Sequence, residues 1–404
     1  MNSRALYRLH YPLGIISLTF CISATSAPDD VWQPYVASTY THYSNIFFVP
    51  NQIAPGTVGV ADPVRADSST QIEGGLTFND TFGLQHVLLQ AKFNKTYFEH
   101  YTIIDNSGKD LLANWDWNFN DVVKGKLGAE DVRKLALYTD FSAQQRNILD
   151  DRHEYGSANF MVSPHWRLHG GADRTELNYE TNKVDDNTTK MTEAGIDFLA
   201  VSNRSIGVLA RHVAGDYPNY QESGSGQRAS NTYKQNEYKL NIDWAVTEKT
   251  ELLFLGGRVN RTGNILPSLN IYGFNAHGDV IWKPTGSLKL DLSGWREYDP
   301  IQTGQVGYTI DSGLGVESTW DASSKLHLMT KVRYDKRDFY VFQSTGVVTP
   351  SYNDNTTSAS FSVRYEPRHY IQLIAMLTHD LRSANVPYVA YTGNGASLNA
   401  VLNF

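Results

Sequence analysis

Cysteine is nearly absent from this 404-residue chain: Cys21 stands alone inside an early apolar run, so no disulfide, cysteine metal site or thiol nucleophile is expected beyond it. Long hydrophobic runs are missing as well. After Ile22 nothing approaches the ~20 consecutive apolar residues of a membrane-spanning helix, which excludes a helical membrane protein. Positive charge is in deficit, with 35 Lys and Arg against 42 Asp and Glu, and this argues against nucleic acid as a partner. Enzyme signatures are absent too. His153-Glu154 has no second histidine three residues after the Glu, and neither a Gly-x-Ser-x-Gly elbow nor a phosphate-binding glycine loop occurs. Residues 54–66 and Asp185-Asp186-Asn187 lack regular calcium-ligand spacing and read as solvated loops. The expectation is no enzyme, no metal and no cofactor.

What is present begins with Arg4 and Arg8 ahead of an apolar run over residues 13–22, followed by Ala24, Thr25, Ser26 and Ala27. That order predicts a secretory signal peptide over residues 1–26 and a mature chain over 27–404. Phe20 before Cys21 is too bulky for a lipoprotein cleavage box. Losing Arg4, Arg8 and no acid takes the formal charge from −7 to −9.

From Trp32 onward the hydrophobic period is two. Tyr238, Leu240, Ile242, Trp244 and Val246 share one face, while Glu237, Lys239, Asn241 and Asp243 share the other. Soluble sandwiches also alternate, so three further features decide. First, Trp244, Trp282 and Trp320 recur every 38 residues before short polar turns, and Leu252, Leu290 and Leu328 follow each by eight. Second, short connections such as Ser163-Pro164-His165 alternate with long ones predicted at 45–66, 214–230 and 343–355. Third, the last strand sets Leu398, Ala400, Leu402 and Phe404 on one face, similar to the signal read by outer-membrane barrel assembly machinery. Together these predict an all-β, transmembrane antiparallel β-barrel of about 18 strands (16 to 20), in the outer membrane of a Gram-negative cell, with short periplasmic turns and longer extracellular loops.

Trp117, Trp244, Trp282, Trp320 and Phe404 are the expected interface girdle in contact with outer-membrane lipid. The opposite face is the expected lumen, charged with both signs: Asp116, Glu237, Lys239, Asp243, Lys289, Asp291, Glu297, Lys331, Arg333, Asp335, Arg337, Arg364 and Glu366. These charges either solvate and cross-brace a water-filled lumen or, at Lys331, Arg333, Arg337 and Arg364, form a basic ladder for an anionic or hydroxyl-rich polymer. Trp295 shares the parity of Lys289 and Glu297; turned inward it would offer a sugar platform, and with a register slip it would face lipid.

Tyr40-Thr41-His42-Tyr43-Ser44-Asn45-Ile46-Phe47 resembles the opening of the exosortase B-associated exopolysaccharide transporters, the EpsL-type barrel porins. Arg65-Ala66-Asp67, Asn114-Trp115-Asp116-Trp117 after a 101–108 loop, a turn at 125–128 and Arg146-Asn147-Ile148 agree with that family's run of features. The resemblance implies passive export of an extracellular polysaccharide, with periplasmic export components as partners. It supplies no lumen residues. The alternatives are a porin for small solutes, constricted by the 214–230 loop, and a barrel enzyme or surface adhesin.

Overall fold

The computed structural model describes residues 31–52, 64–120, 122–138, 144–200, 204–221, 228–264, 270–299, 306–342, 348–386 and 389–404. The expected signal peptide, Cys21 and most of the 54–66 loop lie outside them.

The period-two segments form eighteen strands. They are β1 (Trp32–Tyr43), β2 (Asp67–Phe82), β3 (Gln85–Phe98), β4 (Asn106–Asn118), β5 (Val123–Leu135) and β6 (Ile148–Ser163). Next come β7 (Trp166–Tyr179), β8 (Asn187–Ala200), β9 (Arg204–Gln221), β10 (Arg228–Thr247), β11 (Thr250–Gly263) and β12 (Ile271–Trp282). The series ends with β13 (Leu288–Asp299), β14 (Val306–Asp321), β15 (Leu326–Phe342), β16 (Val348–Arg368), β17 (Ile371–Ala384) and β18 (Tyr391–Asn403). Each pairs antiparallel with its sequence neighbours, and β1 also pairs with β18, from Tyr35 opposite Asn403 to Tyr43 opposite Gly395. The sheet is a closed barrel, so no strand keeps the unpaired edge that hydrocarbon would punish.

Alternation sorts the side chains. Tyr272, Leu314, Leu377 and Leu398 are 61–74 % exposed and belong to the outward set, an arrangement suited to lipid and hostile to water. The opposite set faces the concave side, because its members touch across an intervening strand. Tyr155 on β6 donates to Asn114 on β4 at 3.1 Å, and Tyr43 on β1 donates to Asp380 on β17 at 2.7 Å. Glycines on the strand between make these reaches feasible: a Cβ at Gly128 or Gly393 would collide with the tyrosine ring.

One rim carries two-residue turns at 83–84, 164–165, 248–249 and 369–370. Gly83 takes a φ of 64° there, which glycine adopts without a Cβ penalty. The other rim carries the long connections 44–66 and 136–147, and strands as long as the 21-residue β16 rise past the ~9–11 residues needed to cross the bilayer. At that rim Phe47, 1 % exposed, packs edge-on against Tyr101 and Tyr138, with Val49 and Ile104 beside them. Asn45 fastens this collar: its amide donates to Val49 O at 3.0 Å and Thr392 O at 3.2 Å, and its Oδ1 accepts from Val49 N at 2.8 Å. Burial pushes the Tyr138 phenol pKa upward.

Three sequence expectations are corrected. The 214–230 loop is mostly strand, since β9 runs to Gln221 and β10 starts at Arg228. Gly215 serves a neighbour there and makes no turn, because a Cβ would strike the Tyr233 ring. The 343–355 loop is shorter than expected, as β16 begins at Val348. The expected turn at 125–128 lies within β5, where Gly125 clears Trp117 and the Ser157 carbonyl, and Gly128 clears Tyr155.

Candidate functional site

The interior face is the candidate site, and register assembles it strand by strand. Directly opposed residues share a face, so opposite charges at paired positions meet. Arg337 is paired with Asp354 and donates through Nε at 3.0 Å and Nη2 at 2.9 Å, while Arg382 Nε reaches the same carboxylate at 2.7 Å. Asp354 is 0 % exposed and sits between two guanidinium groups. Arg211, opposite both Glu193 and Glu237, bonds the first at 2.9 Å and approaches the second at 3.6 Å. Lys239 Nζ lies 2.6 Å from Glu237, which extends this chain of charges along β10. On β4, Asp116 stands between His86 and Lys126, each at 3.3 Å.

The residues singled out as lumen candidates occupy interior-facing positions. Besides those above, Lys289 lies 3.4 Å from Asp291, Lys331 3.9 Å from Glu317 and Arg364 3.2 Å from Glu366, while Asp243 is beside Glu251. Arg333 forms a two-pronged bond with Asp335, 2.7 Å on both sides. Every base of the expected ladder therefore has a carboxylate within 4 Å, and the ladder is a series of compensated pairs with no free positive stripe. Arg211, Glu193, Arg167, Asp197, Arg382, Asp354 and Asp380 belong to the same lining and were not singled out from sequence. Their charge was visible, but their partners follow from register alone.

Trp295 points inward. Its indole lies across β14, where a Cβ at Gly313 would overlap the ring and one at Gly315 would strike the Ser293 hydroxyl. Arg333 of β15 covers the ring with its guanidinium carbon 4.0 Å from the centroid, and His277 of β12 stacks at 6.1 Å and 17°. The indole face expected to meet a sugar is thus occupied by a cation, an attraction of ~0.5–2 kcal/mol.

The five girdle candidates lie on the outward register near the short-turn rim, Trp282 and Trp320 exposed, Trp117 and Trp244 half-buried and Phe404 69 % exposed. Trp32, Phe78, Phe82, Trp166 and Phe198 join them on neighbouring strands.

Neither a family model nor a curated protein sequence matches the chain. Among solved structures it is similar to OpdK of Pseudomonas aeruginosa with vanillate, at a TM-score of 0.50 and 10 % identity, covering 92 % of this chain and 99 % of that one. OccK2 (OpdF) of Pseudomonas aeruginosa in complex with glucuronate superposes at 0.48 with 9 % identity, covering 92 % and 98 %. A bacterial polysaccharide outer membrane secretin gives 0.37 and 10 % over 93 % and 98 %. At these identities the likeness to OpdK is one of fold: the chain is an all-β, closed, 18-stranded antiparallel barrel of the outer-membrane type.

Proposed function

We propose that this barrel is an outer-membrane channel exporting an extracellular polysaccharide, a passive conduit of the exosortase B-associated kind that the Tyr40–Phe47 motif resembles. The observation that carries the reading is the compensated polar lining. Paired charges offer donors and acceptors side by side while cancelling one another's long-range field, so a hydroxyl-rich chain meets hydrogen-bonding partners at many levels without an ionic trap. The 214–230 segment, the expected constriction of a small-solute porin, is built largely into the wall. The apolar collar at the long-loop rim, tied from β18 to the segment after β5, favours the second reading, a small-solute porin with an ordered entrance.

Two measurements separate them. A strain lacking the protein should lose surface polysaccharide and regain it with the wild-type gene. Refolded protein in planar bilayers should pass current that the purified polymer blocks. Unaltered surface polysaccharide together with steady, polymer-insensitive current would replace export with the porin reading.

A further inference from the structure

We propose that Trp295, Arg333 and Asp335, set over the Gly313–Gly315 clearing, form a lumen subsite for the vicinal hydroxyls of a neutral pyranose ring; this rests on the polysaccharide reading. Three observations converge on it. The Arg333 fork is fixed twice, by the carboxylate of Asp335 and by the indole beneath it, so little side-chain freedom remains to be lost when a ligand binds. Among the described residues Nη1 of Arg333 makes no hydrogen bond, and each Asp335 oxygen keeps a second lone pair, which places a donor beside an acceptor as adjacent sugar hydroxyls require. Trp295 Nε1 likewise finds no acceptor in the wall.

Charge and shape narrow the ligand. Arg333 and Asp335 neutralise one another, so the pair selects hydroxyls over a free carboxylate or phosphate. The missing side chains at Gly313 and Gly315 let the indole and the Ser293 hydroxyl lie flat against β14, with the Arg333 guanidinium stacked on the ring from the β15 side. On the far flank His277 lies 3.4 Å from Asp279, a second donor–acceptor pair of the same i, i+2 form.

The test is calorimetric titration of the detergent-folded full chain with maltohexaose, a neutral hexasaccharide, with bilayer conductance measured in parallel. Wild type should bind, and Arg333→Lys, which keeps the charge and loses the fork, should weaken binding about tenfold, the scale of one charge-assisted hydrogen bond. Gly313→Ala, which displaces the indole, should weaken it similarly, whereas Glu248→Gln on a short turn should bind as wild type. No binding by wild type, or equal binding by wild type and Arg333→Lys, overturns the subsite. Current without binding removes the subsite and leaves the conduit standing; binding without current leaves the subsite and removes the conduit.

Discussion

At the scale of single residues, buried charge and bare glycine do most to define the interior. Asp354 pairs with Arg337 and Arg382 at once, and neutralising it takes an ion-pair partner from two buried guanidinium groups together. Asp354→Asn should lower barrel stability by about 3–5 kcal/mol, read as a lower urea midpoint in lipid vesicles. A double variant that also carries Arg382→Met should recover much of the loss; an unchanged midpoint in the single variant would mean that water already solvates both guanidinium groups. The glycines act by what they lack. Of Gly128, Gly313 and Gly393, each clears one strand so that an aromatic can lie over it, an aromatic-over-glycine pairing used widely in twisted sheets. Sequence reading took Gly125, Gly128 and Gly215 for turn or loop residues, because a glycine needed for space looks the same in one dimension as a glycine needed for φ.

At the scale of the strand, the outward residues form the membrane belt and the short turns fix register. Leu314, 67 % exposed on the outward face of β14, belongs to the belt, and Leu314→Arg should destabilise the barrel by about 2–4 kcal/mol in vesicles. The same change at the exposed Leu84 of the first short turn should leave the midpoint nearly unchanged, so equal losses at both sites would place the belt elsewhere. Gly83 sits at φ 64°, and Gly83→Val should cost about 1–2 kcal/mol through backbone strain alone. Strand existence was legible because each belt segment alternates over several residues, as in Tyr238, Leu240 and Ile242. Strand ends on the long-loop side were not. There the apolar residues are sparse and broken by Gly215, Pro218 and Pro350, so Ala214 to Asn219 and Val348 to Asn355 carry no sustained hydrophobic period, although Tyr217 joins a buried cluster with Val213 and Tyr233 and most of these residues pair with neighbours.

For the whole molecule, closure decides everything else. β1 and β18 meet over nine residue pairs, and the Phe404 N–H donates to Pro34 O at 2.9 Å, so the last residue reaches the seam while its ring stays outside. Phe404→Ser should reduce barrel assembly in cells while refolding from urea into detergent proceeds as in wild type. Slow refolding of the purified variant would instead assign the ring to the seam itself. The amino-acid sequence by itself determined the fold class and the near count of strands, because a period of two is a local property and survives any register. Only the tertiary structure decided which charges meet, that the basic ladder is neutralised by Glu317, Asp335, Asp354 and Glu366, and that Arg333 covers Trp295. Lys331 with Glu317 and Arg337 with Asp354 depend on register between strands, and the cover over Trp295 on reach across β14, and neither is written in the order of residues along one strand; Arg333 with Asp335 and Arg364 with Glu366 stand two apart on one strand, where only the side-chain conformation was left to the fold.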